Sequence, residues 1–306
     1  MAPIRYPGRG TTTDGGAGLN VLGPAYRELV LGGHLLAFGT ASIAAAAAFL
    51  LGVNPTLSLM VMAYLFSFGA YMLNRSAEFD EDAASNPGRT RYLARRKRIL
   101  PAVVVGSFGL GYLLAATVSA LFFVALLVPL ALALAYSVGS KYMVSIIGTA
   151  KLKQKLLVKN ISISLGWSLI PVLVGLYFGS SNYPLLLLAP FIFSRLMTNT
   201  IVFDVRDTEG DRANGVRTLP TELGLARSLR IVAGIDLASA LYLGLLLLGG
   251  YLPLYAVALI VLPVYSTVYR WFASHSGANL NFICDVVADA EYIFWGPLIY
   301  LGKILV

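Results

Sequence analysis

Apolar stretches close to the twenty residues that one crossing of a bilayer requires recur along the chain. They are near 30–52, 57–73, 99–117, 120–137, 160–179, 183–203, 228–249, 252–271 and 286–305. This pattern predicts nine helices. The run from Ile99 to Tyr136 is too long for one crossing, so a tight hairpin is expected at "TVS", residues 117–119. The breaks alternate in kind. After the first, third, fifth and seventh stretches come short uncharged turns such as "GVNPT" and "GGYLP", rich in residues that favour turns. After the second, fourth and sixth come long polar segments. With nine crossings those segments and the N-terminus fall on one side, and the C-terminus on the other.

Composition supports the bilayer reading. Hydrophobic residues make up 58% of the 306 positions and charged residues 12%, about half the share of a soluble domain. The fold class expected is therefore an all-α integral membrane protein, a bundle of about nine transmembrane helices around a central cavity. Residues 1–29 read as a flexible tail without the apolar core of a cleavable signal, and 30–306 as one domain. Of 23 Lys and Arg residues, 21 lie in the tail, in the long segments or at adjoining helix ends; Arg195 and Lys303 are the two others. The positive-inside rule then places that side in the cytoplasm. The net charge of +8 is accounted for by topology and lipid headgroups, with no nucleic acid required. One cysteine, Cys284, and two distant histidines, His34 and His275, argue against a disulfide framework or a Cys/His zinc site. Cys284 reads as a small apolar filler.

Charge is concentrated unevenly. "DVRDTEGDRANGVRTLP", residues 204–220, holds four acids and three arginines. Asp204, Asp207 and Asp211 are spaced i, i+3, i+7, so a helix continuing past Phe203 puts all three on one face. "NRSAEFDEDAASNPGRT", residues 74–90, repeats the arrangement with Asn74, Glu78 and Asp82 at i, i+4, i+8, and Asp80 and Glu81 beside them. The two segments match as "ExxxDxxxNPGRT" and "DxxxDxxNGVRT", which suggests an internal repeat near 130 residues. Carboxylates gathered at a low-dielectric rim repel one another unless cations neutralise them. Mg²⁺ is typically held by one or two carboxylates plus substrate phosphates. Two facing clusters suit a diphosphate bridged by metal; the alternative is solvated loop acids offsetting nearby arginines.

These motifs resemble those of the UbiA superfamily of intramembrane prenyltransferases. That family has nine transmembrane helices, an Asp-rich motif NDxxDxxxD after the second and DxxDxxxD after the sixth. Asp204, Asp207 and Asp211 complete the second motif, and "EGDRANGVRTLP" continues it. In the first, Asn74 and Asp82 fit, Glu78 replaces an Asp, and Arg75 stands where an Asp is usual. Tyr136 and Ser137, followed by Lys141, resemble the family's Tyr-Ser and lysine after the fourth helix. The resemblance implies a Mg²⁺-dependent enzyme that moves a prenyl group from an isoprenyl diphosphate to a lipophilic acceptor, an aromatic quinone precursor or a glycerol-phosphate lipid. It implies Asn74, Glu78, Asp82, Asp204, Asp207 and Asp211 as metal ligands, and Tyr136 and Ser137 in the substrate cavity.

Basic residues able to contact diphosphate are Arg75, Lys141, Lys155, Lys159, Arg195 and Arg217, with Asn199 one turn from Arg195. An arginine inside a crossing faces a cavity or a partner; for Arg195 the partner alternative is an acid such as Asp236. Lys151 and Lys153 fit a membrane-surface stretch equally well. Asp285 and Asp289 fit the positive end of the last helix rather than a third metal site. Some aromatic rings, with Trp167 and Trp295 among the candidates, are expected along the cavity, where ring faces stabilise cations. A transporter, a cyclase of the same superfamily and an inactive scaffold are the rival readings. Acceptor, chain length and oligomeric state carry no spacing signature.

Overall fold

The computed structural model describes residues 23–77, 79, 87–137, 156–180, 184–213, 215–275 and 277–306. Among them helix is the only regular structure. A short helical segment, Gly23–Leu31, bends by 59° into α1, His34–Leu50. Then come α2 Leu57–Ala77, α3 Pro87–Ala94, α4 Leu100–Ala116, α5 Ala120–Ala125 and α6 Leu127–Ser137. α7 covers Val158–Tyr177, α8 Pro184–Ala213, α9 Leu219–Leu223, α10 Leu225–Leu248 and α11 Leu254–Ala273. The last helix, α12 Trp295–Leu305, follows an irregular approach with a wide π turn at Ile283–Ala288 and a tight 3₁₀ turn at Glu291–Phe294.

The expected hairpin falls at Thr117–Ser119. Ser119 starts α5 by accepting a hydrogen bond from the Phe122 amide at 3.1 Å, which satisfies one of the donors a helix start leaves open. Positive φ at Gly52 and Gly250 closes two other short turns, a conformation open to glycine. α2, α7, α8, α10 and α11 are each long and apolar enough to cross a membrane, and the bent pair ending in α1 makes a sixth candidate. α4 and the α5–α6 stretch are shorter apolar helices. The described helices alone therefore give five or six crossings against the nine expected.

Two faces of α10 show the solvent for which the bundle is built. Leu237, Leu241, Leu245 and Leu248 project outward, while Val232, Asp236, Ser239, Leu243 and Leu246 are buried. A leucine strip of that length suits lipid and would be a liability in water. With no hydrophobic effect to drive helices together inside lipid, close packing takes over. α1 supplies it through its small residues: Ile43 to Ala48 are all buried. Gly39 sits against Tyr292, where an added Cβ would lie 2.5 Å from the tyrosine Cβ. Ser42 accepts from the Gly296 amide at 2.9 Å and donates to the Ile293 carbonyl at 2.7 Å, tying α1 to the last helix where its turns are irregular.

α8 is 30 residues long, roughly 45 Å and so longer than a hydrocarbon core of about 30 Å. It does not stop at Phe203 as the apolar pattern suggests but runs ten residues further, to Ala213. Its back face carries Arg195, fully buried. The guanidinium grips Glu291 through Nε–H and Nη2–H at 2.8 and 3.0 Å and Asp236 through Nη1–H at 2.6 Å. Thr198 also donates to Asp236, Tyr269 donates to Glu291, and Arg270 approaches the other Asp236 oxygen at 3.7 Å. Two arginines and two acids, net neutral, thus join α8, α10, α11 and the approach to α12.

This corrects the expectation that Arg195 meets the diphosphate. Its donors are taken by buried carboxylates on the side of α8 away from the cavity, because a charge in low dielectric is tolerable only when paired. Replacing it strands two buried acids. Arg195→Met should lower stability by about 3–5 kcal/mol, read as a fall in the tryptophan-fluorescence unfolding midpoint in detergent, and adding Asp236→Asn with Glu291→Gln should recover part of the loss. Gly39→Ala should cost about 1–3 kcal/mol by overpacking in the same assay, whereas Gly106→Ala, which meets no atom within 4 Å, should cost none.

Candidate active site

The opposite face of α8 borders a cavity. Leu196, Asn199, Thr200, Phe203, Asp207, Gly210 and Asp211 line it, at the three- and four-residue steps of one helical stripe. The cavity holds about 370 Å³, within the range of small-molecule sites. Its two ends differ. Ala44 late in α1, Leu59 and Met62 early in α2, Phe122 and Leu126 around α5, and Val174 late in α7 form one end. Asn74, Arg75, Ser137, Lys159, Arg206, Asp207 and Asp211 form the other. From Leu59 to Asn74 along α2 is about 22 Å, so an apolar trough runs inward from a charged mouth. The lining rings include Phe66, Phe108, Phe122, Trp167 and Phe203. Trp295 is instead buried in the core against Phe191.

The mouth is built from the ends of α2, α6, α7 and α8. Ser137 reaches Asn74 Oδ1 at 3.4 Å, which joins two positions that the sequence places 63 residues apart. Lys159 pairs with Asp204 at 2.7 Å, and Asn160 donates to the other oxygen of that carboxylate at 2.8 Å. Asp204 is fully buried and stands behind the cavity wall. Helical geometry gives the reason: a step of three residues falls about 60° short of a full turn, which rotates Asp204 from Asp207 towards α7. Asp207 lines the cavity and accepts two bonds from Arg206, at 2.8 and 3.0 Å. Arg206 also holds Asp285 at 2.7 Å, and Arg89 binds the same Asp285 oxygen. Asp211 presents a buried Oδ2 with no hydrogen-bond partner.

The structure thus gathers Asn74, Arg75, Ser137, Lys159, Asn199, Asp207 and Asp211 on one cavity, with Tyr136 in the last turn of α6. Glu78, Asp80, Glu81, Asp82, Lys141, Lys151, Lys153 and Lys155 lie outside the described residues. Arg217 does not join the cavity. It is exposed on the loop after α8 and forks onto Glu222 of α9 at 2.9 and 3.2 Å, holding that carboxyl below its ordinary range. Asp285 is a counter-ion for two arginines rather than a helix-end charge. Cys284 is fully buried, as a filler should be.

Sequence reading missed Arg89 and Arg206 and took Asp289 for a helix-end charge; all three line the cavity. Arg206 sits inside the motif, one residue from Asp207. Arg89 belongs to "NPGRT", the part of the first segment that echoes "NGVRT", so the repeat itself was a usable signal. Asp289 stood out only by its one-turn spacing from Asp285, since its place on the wall depends on the path into α12.

Among the described residues no three His, Cys, Asp or Glu side chains cluster closely enough to hold a metal. The donor chemistry still suits a hard cation. Asp211 offers an unused carboxylate oxygen and Asn74 an amide oxygen at the same mouth, the ligand types Mg²⁺ takes together with phosphate.

Known proteins place these features in a family. Over 101 residues the chain is 37% identical to digeranylgeranylglyceryl phosphate synthase of Methanothermobacter thermautotrophicus, a match spanning 31% of this chain and 36% of that protein's length. In fold it is similar to a UbiA homologue from Archaeoglobus fulgidus solved bound to GPP and Mg²⁺, with a TM-score of 0.67 at 16% identity over 91% of this chain and 99% of that one. It is equally similar to the apo structure of a UbiA homologue from Aeropyrum pernix K1, TM-score 0.67 at 15% identity over 88% and 97% of the two chains. Residues 35–282 match the model of the UbiA prenyltransferase family, which is most of the chain, and the protein belongs to that family.

Proposed function

We propose that this protein is a Mg²⁺-dependent intramembrane prenyltransferase, moving an isoprenyl group from a polyprenyl diphosphate to a lipophilic acceptor. The observation that carries the reading is the single cavity with a charged mouth and an apolar far end, which matches the two halves of a prenyl diphosphate. The family supports it, as do the synthase relative and the solved homologues bound to GPP or DMAPP with Mg²⁺. All nine apolar stretches cross the membrane in this reading, the shorter and broken ones included. The mouth faces the cytoplasm, where 21 of the 23 basic residues gather.

Asp207 and Asp211 hold the metal on one side of the mouth, and Asn74, Glu78 and Asp82 on the other. Asp204 acts differently from its motif neighbours: by pairing with Lys159 it holds that ammonium at the rim, aimed at the diphosphate. Arg75 is a second diphosphate contact, where a planar fork suits phosphate oxygens, and Lys141 and Lys155 belong to the same polar segment. Arg206 can release Asp207 to a metal because Asp285 remains as its counter-ion. Bound Mg²⁺ supplies the positive charge that stabilises the diphosphate as a leaving group. Lys159 and Arg75 add donors at the oxygens where charge develops while the allylic C–O bond breaks. The apolar trough aligns the prenyl tail, excludes water that would capture the allylic cation, and offers ring faces such as Phe203 and Trp167 to it. The acceptor's nucleophile then bonds to C1 and gives up a proton.

A transporter would expose polar groups along a path near the midplane. The deepest charges here, around Arg195, face away from the cavity and satisfy one another, which disfavours that reading. Purified protein in detergent should bind and consume prenyl diphosphates when offered aromatic, quinone-precursor and glycerol-phosphate lipid acceptors, and EDTA should abolish turnover. Asp207→Asn with Asp211→Asn should cut the rate at least about 100-fold, as loss of charge stabilisation at a leaving group does; metal-independent activity, or a double variant as fast as wild type, would sink the reading. Lys159→Met should raise the KM for the prenyl diphosphate while leaving that for the acceptor unchanged, in steady-state kinetics with each substrate varied in turn.

A further inference from the structure

A second hollow, of about 290 Å³, opens on another flank of α8. Val205, Thr208 and Arg212 line it at three- and four-residue steps, about 100° round the helix from the stripe of Asp207 and Asp211. The start of α10 at Gly224 and Leu225 closes one side, and the end of α11 at Ala273 and His275 the other. These residues of α8 lie beyond Phe203, where its apolar stretch stops, so the hollow sits at headgroup depth rather than in hydrocarbon. Its described lining carries two basic side chains and no acid. Arg89, Arg195, Arg206 and Arg217 are each held by a carboxylate. Arg212 is exposed and pairs with no acid among the described residues. His275 donates through Nδ1–H to the Trp271 carbonyl at 2.8 Å, which fixes the ring and leaves Nε2 as its second polar atom. Arg227 and Arg230, exposed in the first two turns of α10, add positive charge to the same rim.

We propose that this hollow binds the phosphate headgroup of an anionic phospholipid, with Arg212 and His275 on the phosphate and the acyl chains along α11. The assignment does not depend on prenyl transfer. A planar guanidinium fork suits phosphate oxygens, and an anionic leaflet attracts basic side chains at its surface. A zwitterionic headgroup would bring its own cation against Arg212, so a lipid of net negative charge fits better. The neighbourhood favours a lipid over a soluble phosphate. The Trp271 ring lies 4.4 Å from that of His275 and is 57% exposed, as suits an indole at the membrane interface. Beyond it Val268, Val264 and Val261 continue as an exposed strip at helical spacing along α11, a surface for acyl chains that a soluble anion would not use. A lipid held there braces the last turns of α8, whose neighbouring face carries Asp207 and Asp211 to the cavity.

Trp271 supplies the reporter. The full chain, reconstituted in phosphatidylcholine vesicles with rising fractions of phosphatidylglycerol brominated on its acyl chains, should show tryptophan quenching that saturates at a low fraction of the anionic lipid. Brominated phosphatidylcholine should give no such saturation, and Trp271→Phe should remove the saturating component. Arg212→Gln should raise the half-saturating fraction about fivefold, equivalent to about 1 kcal/mol, which is what one arginine contributes at an anionic surface. Arg212→Lys, which keeps the charge without the fork, should fall between the two, and adding His275→Gln to Arg212→Gln should weaken binding further. Arg98→Gln, an exposed charge elsewhere on the chain, should change nothing. Equal affinity for the two brominated lipids, or an Arg212→Gln titration that overlays wild type, would overturn the proposal and leave Arg212 a solvated surface charge. Loss of the saturating component on adding millimolar inorganic phosphate would overturn it too, by assigning the hollow to a soluble anion.

Discussion

Every charge inside this bundle must find an opposite charge, because ions stripped of water in a medium of low dielectric are too costly to leave alone. α8 shows how that constraint organises the molecule. On its back face Arg195 is saturated by Glu291 and Asp236, and the resulting cluster fixes α10, α11 and the entry to α12 against one helix. The loosest link there is Arg270, 3.7 Å from the second Asp236 oxygen. On its front face the pairing is incomplete: Asp211, which lines the cavity, keeps a buried carboxylate oxygen with no hydrogen-bond partner.

The difference between the two faces separates architecture from chemistry. A saturated network resists change, since loss of any member strands the others. An unsaturated wall instead gains from binding a ligand. Arg206 stands between these extremes, shared by Asp207 and Asp285, so that one carboxylate can be surrendered without leaving the guanidinium unpaired. The irregular approach to α12 belongs to both systems: it carries Asp289 to the cavity just past the π turn and Glu291 to the structural cluster at the start of the 3₁₀ turn.

Much of the frame was legible in the chain. Hydropathy located the helices, including the hairpin at Thr117–Ser119, because lipid demands long apolar runs and turns need particular residues. Spacing put Asp207 and Asp211 on one face, and a repeated text paired them with the segment beginning at Asn74. Both signals are local and follow from helical periodicity alone. Arg195 shows where that stops. Its depth marked it as paired or functional, but a sequence cannot choose between a diphosphate and two acids 41 and 96 residues away.

What the sequence determined by itself is therefore the medium, the helical class and the acidic mouth, since these depend on composition and on neighbours within a turn or two. What only the tertiary structure decided is which polar groups satisfy each other and which remain to meet a substrate. Asp204 is turned from its motif towards Lys159, Arg217 is drawn off to Glu222, and Asp289 arrives at the wall from the far end of the chain. The physical reason is that hydrogen bonds and ion pairs between distant residues are settled by packing angles and helix rotation, which no local pattern records.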